Sequence, residues 1–141
     1  MKYEKLQIEI IDEELPYLIK LLSPINKKIW HLSHLECIKN NKNTFEMNKS
    51  ELSEKLGVSI AHTRLYIKIF NQDVNHLLSK AKFHYTDKKN KNSKWEYYIQ
   101  GKIDPDEDKG NVVYLRFGNL YFEIFKLKSE NNKNISDGKI I

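Results

Sequence analysis

Apolar and polar positions follow two different periods along the chain, and the change of period divides a helical part from a strand-rich part. Between residues 25 and 38, apolar residues recur every three or four positions, which predicts one stripe on a helix. The stripe consists of Ile25, Ile29, Leu32, Leu35 and Ile38. Ser23 and Pro24 predict where this helix begins, because a capping hydroxyl precedes a proline at the first helical position. Asn40 and Asn41 predict its end.

The residues before this helix carry weaker signals. Residues 5–11 predict a short strand or an irregular lead-in. Asp12 can cap a short helix that runs from about Glu13 to Leu22. Pro16 is tolerated there, because the first N–H groups of a helix have no intrahelical partner.

A strand and two helices are predicted next. Residues 44–47 favour a short strand, and Asn48 starts a helix in a pattern similar to a capping box. Gly57 suits the left-handed position that ends a helix. Ser59 can cap a longer helix from Ile60 to about Lys80. The inward face of that helix is predicted to hold Thr63, Ile67, Phe70, Val74 and Leu77.

From residue 82 onwards the period becomes two, which is typical of strands. Three strands are predicted at residues 82–87, 94–103 and 111–117, separated by turn-rich segments. Residues 118–128 fit a closing helix or a last strand. Residues 129–141 have no packing pattern, and we expect a mobile tail there.

This order of elements predicts an α+β protein with the layout of a winged helix–turn–helix domain, in which a sheet packs behind three helices. We expect an N-terminal extension at residues 1–22, the winged-helix domain at residues 23–128 and the flexible tail at residues 129–141. The predicted wing is an antiparallel β-hairpin.

Composition narrows the class of protein. The chain has 141 residues, a formal net charge of +5 and a single cysteine, Cys37. No apolar run is long enough to span a bilayer, and the first residues do not read as a secretion signal. A single cysteine excludes internal disulfides and fits a reducing compartment. We therefore expect a cytoplasmic protein with no membrane contact.

The positive charge is concentrated in one region. Residues 80–94 hold six lysines and a single acidic residue, Asp87. The chain as a whole has 22 lysines but only two arginines, and A/T-rich codons can account for much of such a bias. The position of the charge is therefore more informative than its sum.

Residues 51–70 resemble the helix–turn–helix of many DNA-binding regulators. Gly57 permits the sharp turn, Val58 fills the angle between the helices and Ser59 caps the second helix. Ser53 stands where those families usually have alanine. An ordinary helical hairpin is the alternative, because this pattern of residues is also common there.

The second helix of this motif has two candidate uses. If it reads DNA, its contacting residues are Ser59, His62, Arg64 and Lys68, with Arg64 on a guanine edge and Lys68 on phosphate. Leu65 and Ile69 also point away from the predicted core. Two exposed apolar residues favour a dimer or partner contact instead, and the sequence leaves both uses open.

A lysine-rich turn lies between the first two predicted strands of the wing. Lys88, Lys89, Lys91 and Lys94 lie at or beside it and can follow a phosphate backbone, because binding there releases condensed counterions. A solvated surface loop is the alternative. The second turn carries Asp104, Asp106, Glu107 and Asp108, which repel DNA, and we expect it to face away.

Other kinds of site find little support. His31, His34 and Cys37 suggest a metal site, but their spacing rotates the third group off the face of the first, and no second cluster accompanies them. Tyr97 and Tyr98 resemble the paired tyrosines of nicking enzymes, but alternation in a strand buries one and exposes the other. No phosphate-binding or nucleophile motif is present. We expect neither an enzyme nor a bound metal or cofactor.

The order of segments resembles the first winged-helix domain of plasmid replication-initiator proteins. The stretches that carry the resemblance are residues 14–27, 45–59, 74–83, 94–99 and 110–128. Initiators of this kind have two winged-helix domains, whereas the pattern of residues 1–141 predicts one. In that family the first domain is similar to a dimerisation module with auxiliary DNA contacts.

Together these features predict a protein that binds double-stranded DNA in transcriptional or replication control. We expect a homodimer, because one recognition helix spans too few base pairs for a specific site. The competing prediction is a protein-interaction module of the same fold that does not bind DNA.

Overall fold

The computed structural model describes the backbone of residues 2–3, 6–101 and 111–139, and the side chains of residues 6–100 and 111–130. Within this part of the chain the protein is α+β, as the sequence predicts, with two small antiparallel sheets. In chain order the elements are β1 (Lys2–Tyr3), β2 (Ile8–Glu13), α1 (Leu15–Ile19), α2 (Pro24–Asn40), β3 (Thr44–Asn48), α3 (Lys49–Leu56), α4 (Ile60–His76), β4 (Lys82–Asp87), β5 (Asn92–Tyr97), β6 (Ile99–Gly101), β7 (Val112–Phe117) and α5 (Asn119–Lys139).

The four-stranded sheet joins the N-terminus to the middle of the chain. Its strand order is β1-β2-β4-β5, and β2 pairs with β4 from Ile8 opposite Asp87 to Glu13 opposite Phe83. Ile8, Leu15 and Leu22 are buried in the common core. The segment predicted as an N-terminal extension therefore shares a sheet and a core with the residues that follow it.

The three-stranded sheet has the order β3-β7-β6. It corrects one prediction, because the strand expected at residues 94–103 is two strands, β5 and β6, in different sheets. The residue between them, Tyr98, is fully buried. Its hydroxyl accepts a hydrogen bond from Leu15 N at 3.4 Å, and its carbonyl accepts one from Gly118 N at 2.8 Å. These two contacts hold the chain where it leaves one sheet and enters the other.

Helix α2 begins and ends where the sequence predicts, but it buries a different face. The Ser23 hydroxyl accepts a hydrogen bond from Asn26 N, and Asn41 ends the helix in the left-handed conformation at φ 51°. The predicted stripe is wrong in part, because Leu35 is half exposed. The buried residues are Asn26, Ile29, Trp30, Ser33 and Cys37. Apolar spacing missed this face because two of its members are polar and satisfied by hydrogen bonds.

Three predicted helix boundaries also differ. Helix α1 is shorter than expected, and Asp12 lies in β2 and accepts a hydrogen bond from Glu13 N instead of capping a helix. Helix α4 ends at His76 and is followed by a 3₁₀ turn, Leu78–Lys80. The closing segment predicted at residues 118–128 is helical from Asn119, and α5 continues past residue 128 to Lys139. The mobility expected for residues 129–141 stays a prediction.

Candidate functional site

Local signals at two turns set the ends of α3 and α4, the helices that carry the predicted site. The Asn48 side chain accepts a hydrogen bond from Glu51 N at 2.9 Å and caps α3. Gly57 ends α3 at φ 69°, in the left-handed region that glycine adopts most readily. The Ser59 hydroxyl accepts a hydrogen bond from His62 N and caps α4. These three capping predictions are confirmed.

The inward face of α4 is packed as predicted except at Leu77, which lies just past the end of the helix and is only partly buried. Polar contacts also fix this face. Its buried apolar and hydroxyl members are Thr63, Ile67, Phe70 and Val74. Asn71 donates from Nδ2 to the Val112 carbonyl at 3.1 Å and so joins α4 to β7. Asn26 of α2 donates from Nδ2 to Asp73 Oδ2 at 2.6 Å. The orientation of α4 is therefore set by packing and by contacts to two neighbouring elements.

The exposed side of α4 carries the candidate binding residues. We call His62, Arg64, Leu65, Lys68 and Ile69 the α4 face; all five side chains are exposed. At about 100° per residue, Arg64 and Lys68 lie on one flank of Leu65, whereas His62 and Ile69 lie on the other. The structure thus separates a basic flank from a flank with an apolar residue and places Leu65 between them, with 52% of its surface exposed.

Hydrogen bonds to Asp87, the last residue of β4, fix the conformation of the lysine-rich turn. Asp87 Oδ1 accepts hydrogen bonds from Lys89 N at 2.9 Å and Asn90 N at 3.3 Å, and Asp87 Oδ2 accepts one from Asn90 Nδ2. Desolvation raises the pKa of Asp87, but these hydrogen bonds outweigh it and hold that pKa below its usual value. We call residues 88–91 the basic turn. The lysines that it holds, and Lys94 just after it, are exposed.

The basic turn lies between the two strands of an antiparallel hairpin, as the sequence predicts. It joins β4 to β5 in the four-stranded sheet, and Lys88 N donates to the Gln7 carbonyl at 2.8 Å. A second connection joins β6 to β7 in the three-stranded sheet. Residues 102–110 of that connection, with the acidic residues 104–108, lie outside the described residues.

The structure accounts for His34 and Cys37 without a metal. The neutral His34 ring donates from Nδ1 to the Trp30 carbonyl at 2.8 Å, and its Nε2 lies 3.0 Å from the Tyr121 hydroxyl. Desolvation lowers the pKa of His34 to about 4 and raises the pKa of the buried Cys37 thiol to about 12. In the described part of the chain, no three His, Cys, Asp or Glu residues are grouped to hold a metal ion.

The sequence did not predict a set of side chains on the outer face of the four-stranded sheet, of which two are exposed and two are partly buried. Tyr98 is buried and Tyr97 is exposed, as alternation predicts. The Tyr97 side chain shares the outer face of the sheet with Lys82, His84 and Trp95. We call these four residues the aromatic face. The alternation of Trp95 and Tyr97 in β5 was a usable signal, but the partners on β4 required the strand register.

Among the described residues, no helix is long and apolar enough to cross a bilayer. No protein-family model, curated protein or solved structure matches the chain. The α4 face, the basic turn and the aromatic face are therefore the candidate binding surfaces.

Proposed function

We propose that this protein is a winged helix–turn–helix protein that binds double-stranded DNA through α4, in transcriptional or replication control, as a cytoplasmic homodimer. The observation that carries the proposal is α4 itself. Its inward face is fixed by packing and hydrogen bonds, and its outward side presents Arg64 and Lys68 together on one flank. A rigid helix with exposed basic residues suits the major groove, which admits an α-helix.

The strand order supports a winged-helix reading. β3 immediately precedes α3 and α4, and it pairs antiparallel with β7, which follows them. The strands on either side of α3 and α4 are therefore paired along their length, from Thr44 opposite Arg116 to Asn48 opposite Val112. Asn71 of α4 is bonded to the first residue of β7, so the helix is held against this sheet.

Each residue has a separate role in the proposal. The Arg64 guanidinium forms a bidentate contact with a guanine edge, and Lys68 neutralises a phosphate. His62 lies in the first turn of α4 and Ser59 caps that turn, and this end of a recognition helix is the part that enters the groove. The Ser59 hydroxyl already accepts the capping hydrogen bond, but it can still donate its own proton to a phosphate oxygen.

The basic turn has a more limited role. Lys88, Lys89, Lys91 and Lys94 belong to the four-stranded sheet, whereas α4 packs against α2, α3 and β7. Recognition of duplex DNA therefore rests on α4, and the lysines supply phosphate contacts that carry no sequence information. Four such contacts correspond to a slope of roughly −3 to −4 in a plot of log affinity against log salt.

The test is fluorescence anisotropy with duplex DNA at about 50 and 200 mM salt. Arg64→Ala is expected to weaken binding by roughly 5- to 150-fold, the range for one bidentate base contact. Lys68→Ala is expected to reduce the salt slope by about one. Lys88/Lys89/Lys91→Ala is expected to flatten the slope further.

Lys27/Lys28→Ala is the matched control for this experiment, because it removes two exposed lysines from α2. It should leave both affinity and slope unchanged. If the control weakens binding as much as Arg64→Ala and Lys68→Ala do, the interaction is a general attraction to positive charge. Absence of binding at the lower salt would exclude the duplex proposal.

A second candidate function rests on the other flank of α4. Leu65 and Ile69 have 52% and 39% of their surfaces exposed, which favours a protein-interaction module. Leu65 lies between the flanks, so a partner that covers it would block the approach of DNA to Arg64. Sedimentation velocity with and without duplex DNA separates the two functions. If α4 forms the contact, Leu65→Ser will dissociate the assembly and DNA will compete with it.

A further inference from the structure

The aromatic face is a surface that duplex binding through α4 does not use. The register between β4 and β5 pairs Lys82 with Tyr97 and His84 with Trp95, and paired residues of antiparallel strands lie on the same face. Phe83 and Tyr85, which alternate with them on β4, are buried. The aromatic face is therefore the outer face of the sheet, on the side away from the core.

Its four side chains are arranged in two pairs. The His84 and Trp95 rings are stacked, with centroids 4.7 Å apart and planes 11° apart. The Nζ atom of Lys82 lies 5.0 Å from the centroid of the Tyr97 ring. Trp95 and Tyr97 still have 52% and 45% of their surfaces exposed. One contact to each ring is thus made within the protein, and a large part of each ring is open to solvent.

Positive charge lies at both ends of these rings. Lys82 is beside Tyr97, and the basic turn precedes β5, with Lys91 four residues before Trp95 and in the left-handed conformation at φ 55°. Glu14 lies opposite Lys82, and its Oε1 accepts a hydrogen bond from Lys82 N at 3.0 Å. The other acidic residues on this face, Glu9 and Asp12, lie on β2. They are separated from β5 by β4, about 10 Å away across the sheet.

Open aromatic rings in line with lysines are the features that bind unpaired bases. Every base has a π-face that can stack on an aromatic ring, while lysines neutralise the backbone. Trp95 and Tyr97 are two positions apart on one strand, or about 6.6 Å, so neighbouring nucleotides of an extended strand can reach both. In a duplex the base faces are covered by their own stack and cannot reach a flat sheet.

We propose that the aromatic face and the basic turn bind single-stranded nucleic acid, with bases stacked on Trp95 and Tyr97 and the backbone following the lysines of the turn. This site is separate from α4, and it does not depend on the proposed recognition of duplex DNA. It occupies an edge strand of the sheet as described, where a flexible strand has access from the side.

Tryptophan fluorescence gives a direct test. The chain has two tryptophans; Trp30 is buried among aromatic rings, whereas Trp95 is exposed. Titration with an oligothymidylate of about eight nucleotides is expected to quench the emission, because a stacked base contacts Trp95. Trp95→Ala is expected to lower affinity, measured by anisotropy, roughly 5- to 150-fold, the range for loss of one stacked base. Trp95→Phe should restore much of that loss.

Two controls make the result specific. Tyr17→Ala removes an aromatic side chain on α1 that is 68% exposed and lies outside the aromatic face. This variant should bind oligothymidylate with the affinity of the unsubstituted protein. Arg64→Ala/Lys68→Ala should weaken duplex binding and leave oligothymidylate binding intact. Each proposal can then fail without the other.

Three outcomes would overturn the proposal. The first is an oligothymidylate affinity that Trp95→Ala does not change. The second is equal affinity for inorganic polyphosphate, which would show attraction to charge without stacking. The third is self-association that Trp95→Ala abolishes in the absence of nucleic acid, because the aromatic face would then be a contact between copies of this chain.

Discussion

Strands β7 and β5 have the same length and opposite relations to the core. β7 is the central strand of the three-stranded sheet, and Val113, Leu115 and Phe117 have no exposed surface. β5 is an edge strand in the sheet as described, and none of its six residues, all of them described, is buried. The side chains of β7 therefore stabilise the fold, and those of β5 are open to a ligand. Substitutions in the two strands should therefore differ in their effect on the free energy of unfolding.

The largest expected effect is on the β7 side. Phe117→Ala should lower the free energy of unfolding by about 3–5 kcal/mol, because it leaves a cavity in a fully packed region. The Phe117 ring lies among the rings of Trp30, His34, Tyr121 and Phe125, with centroids 4.7–5.8 Å away. Urea denaturation followed by circular dichroism measures the loss.

A milder substitution keeps that prediction testable if Phe117→Ala does not fold. Phe117→Leu retains most of the apolar volume and should cost clearly less than the alanine variant. An effect of Phe117→Ala below about 1 kcal/mol would contradict the distinction between the strands, since losses of that size are ordinary for substitutions across a protein.

The second prediction concerns pH and the same aromatic cluster. Desolvation lowers the pKa of His34 from 6.5 to about 4, and His31 and Lys128 add to this effect against the hydrogen bond to Trp30. Between these values the unfolded chain binds a proton that the folded chain does not. Stability should therefore be complete above about pH 6.5 and fall toward pH 4, by at most about 3 kcal/mol. Urea midpoints across this range measure the change.

His34→Gln removes the titrating group and should flatten this part of the stability curve. The difference between the two stability curves isolates the contribution of His34 and is the quantity to compare. A His34 pKa above 6 in the folded protein, measured by NMR, would contradict the prediction.

A third, smaller effect is expected where the two strands meet. A Cβ at Gly118 would lie 2.7 Å from the Tyr97 carbonyl oxygen, closer than real Cβ contacts allow. The neighbour is backbone and cannot rotate away, so Gly118→Ala should cost about 2 kcal/mol. Gly57→Ala is the comparison, because a Cβ there meets nothing within 4 Å and the cost of about 1 kcal/mol comes only from φ 69°. Denaturant midpoints should rank the two variants in this order.

The sequence predicted those parts of the fold that depend on neighbouring residues. Asn48, Gly57 and Ser59 are local signals, since each acts on backbone groups within a few residues, and all three behave as expected. The alternation that separates Tyr97 from Tyr98 is local as well. The exposure of Arg64 and Lys68 followed from helical periodicity once the buried side of α4 was known.

Features that depend on distant contacts could not be predicted in this way. The chain leaves the four-stranded sheet at Tyr98 because Leu15 and Gly118, far away in sequence, bind that residue. The pairing of β2 with β4 was not predicted for the same reason, since nothing local to residues 5–11 shows which strand lies beside them. The aromatic face required the register that sets His84 beside Trp95.

The smallest effect on stability is expected for a substitution in β5. Its size decides whether a loss of binding by the same variant comes from the missing ring or from unfolding. Trp95→Ala removes a half-exposed side chain and one stacked contact to His84, so the free energy of unfolding should change by less than about 1 kcal/mol. The same urea experiment measures it beside Phe117→Ala. A loss as large as that of Phe117→Ala would make β5 a structural strand like β7, and weaker oligonucleotide binding by the variant would then reflect unfolding. If stability is retained, a loss of binding has to come from the ring itself, because the rest of the molecule is intact.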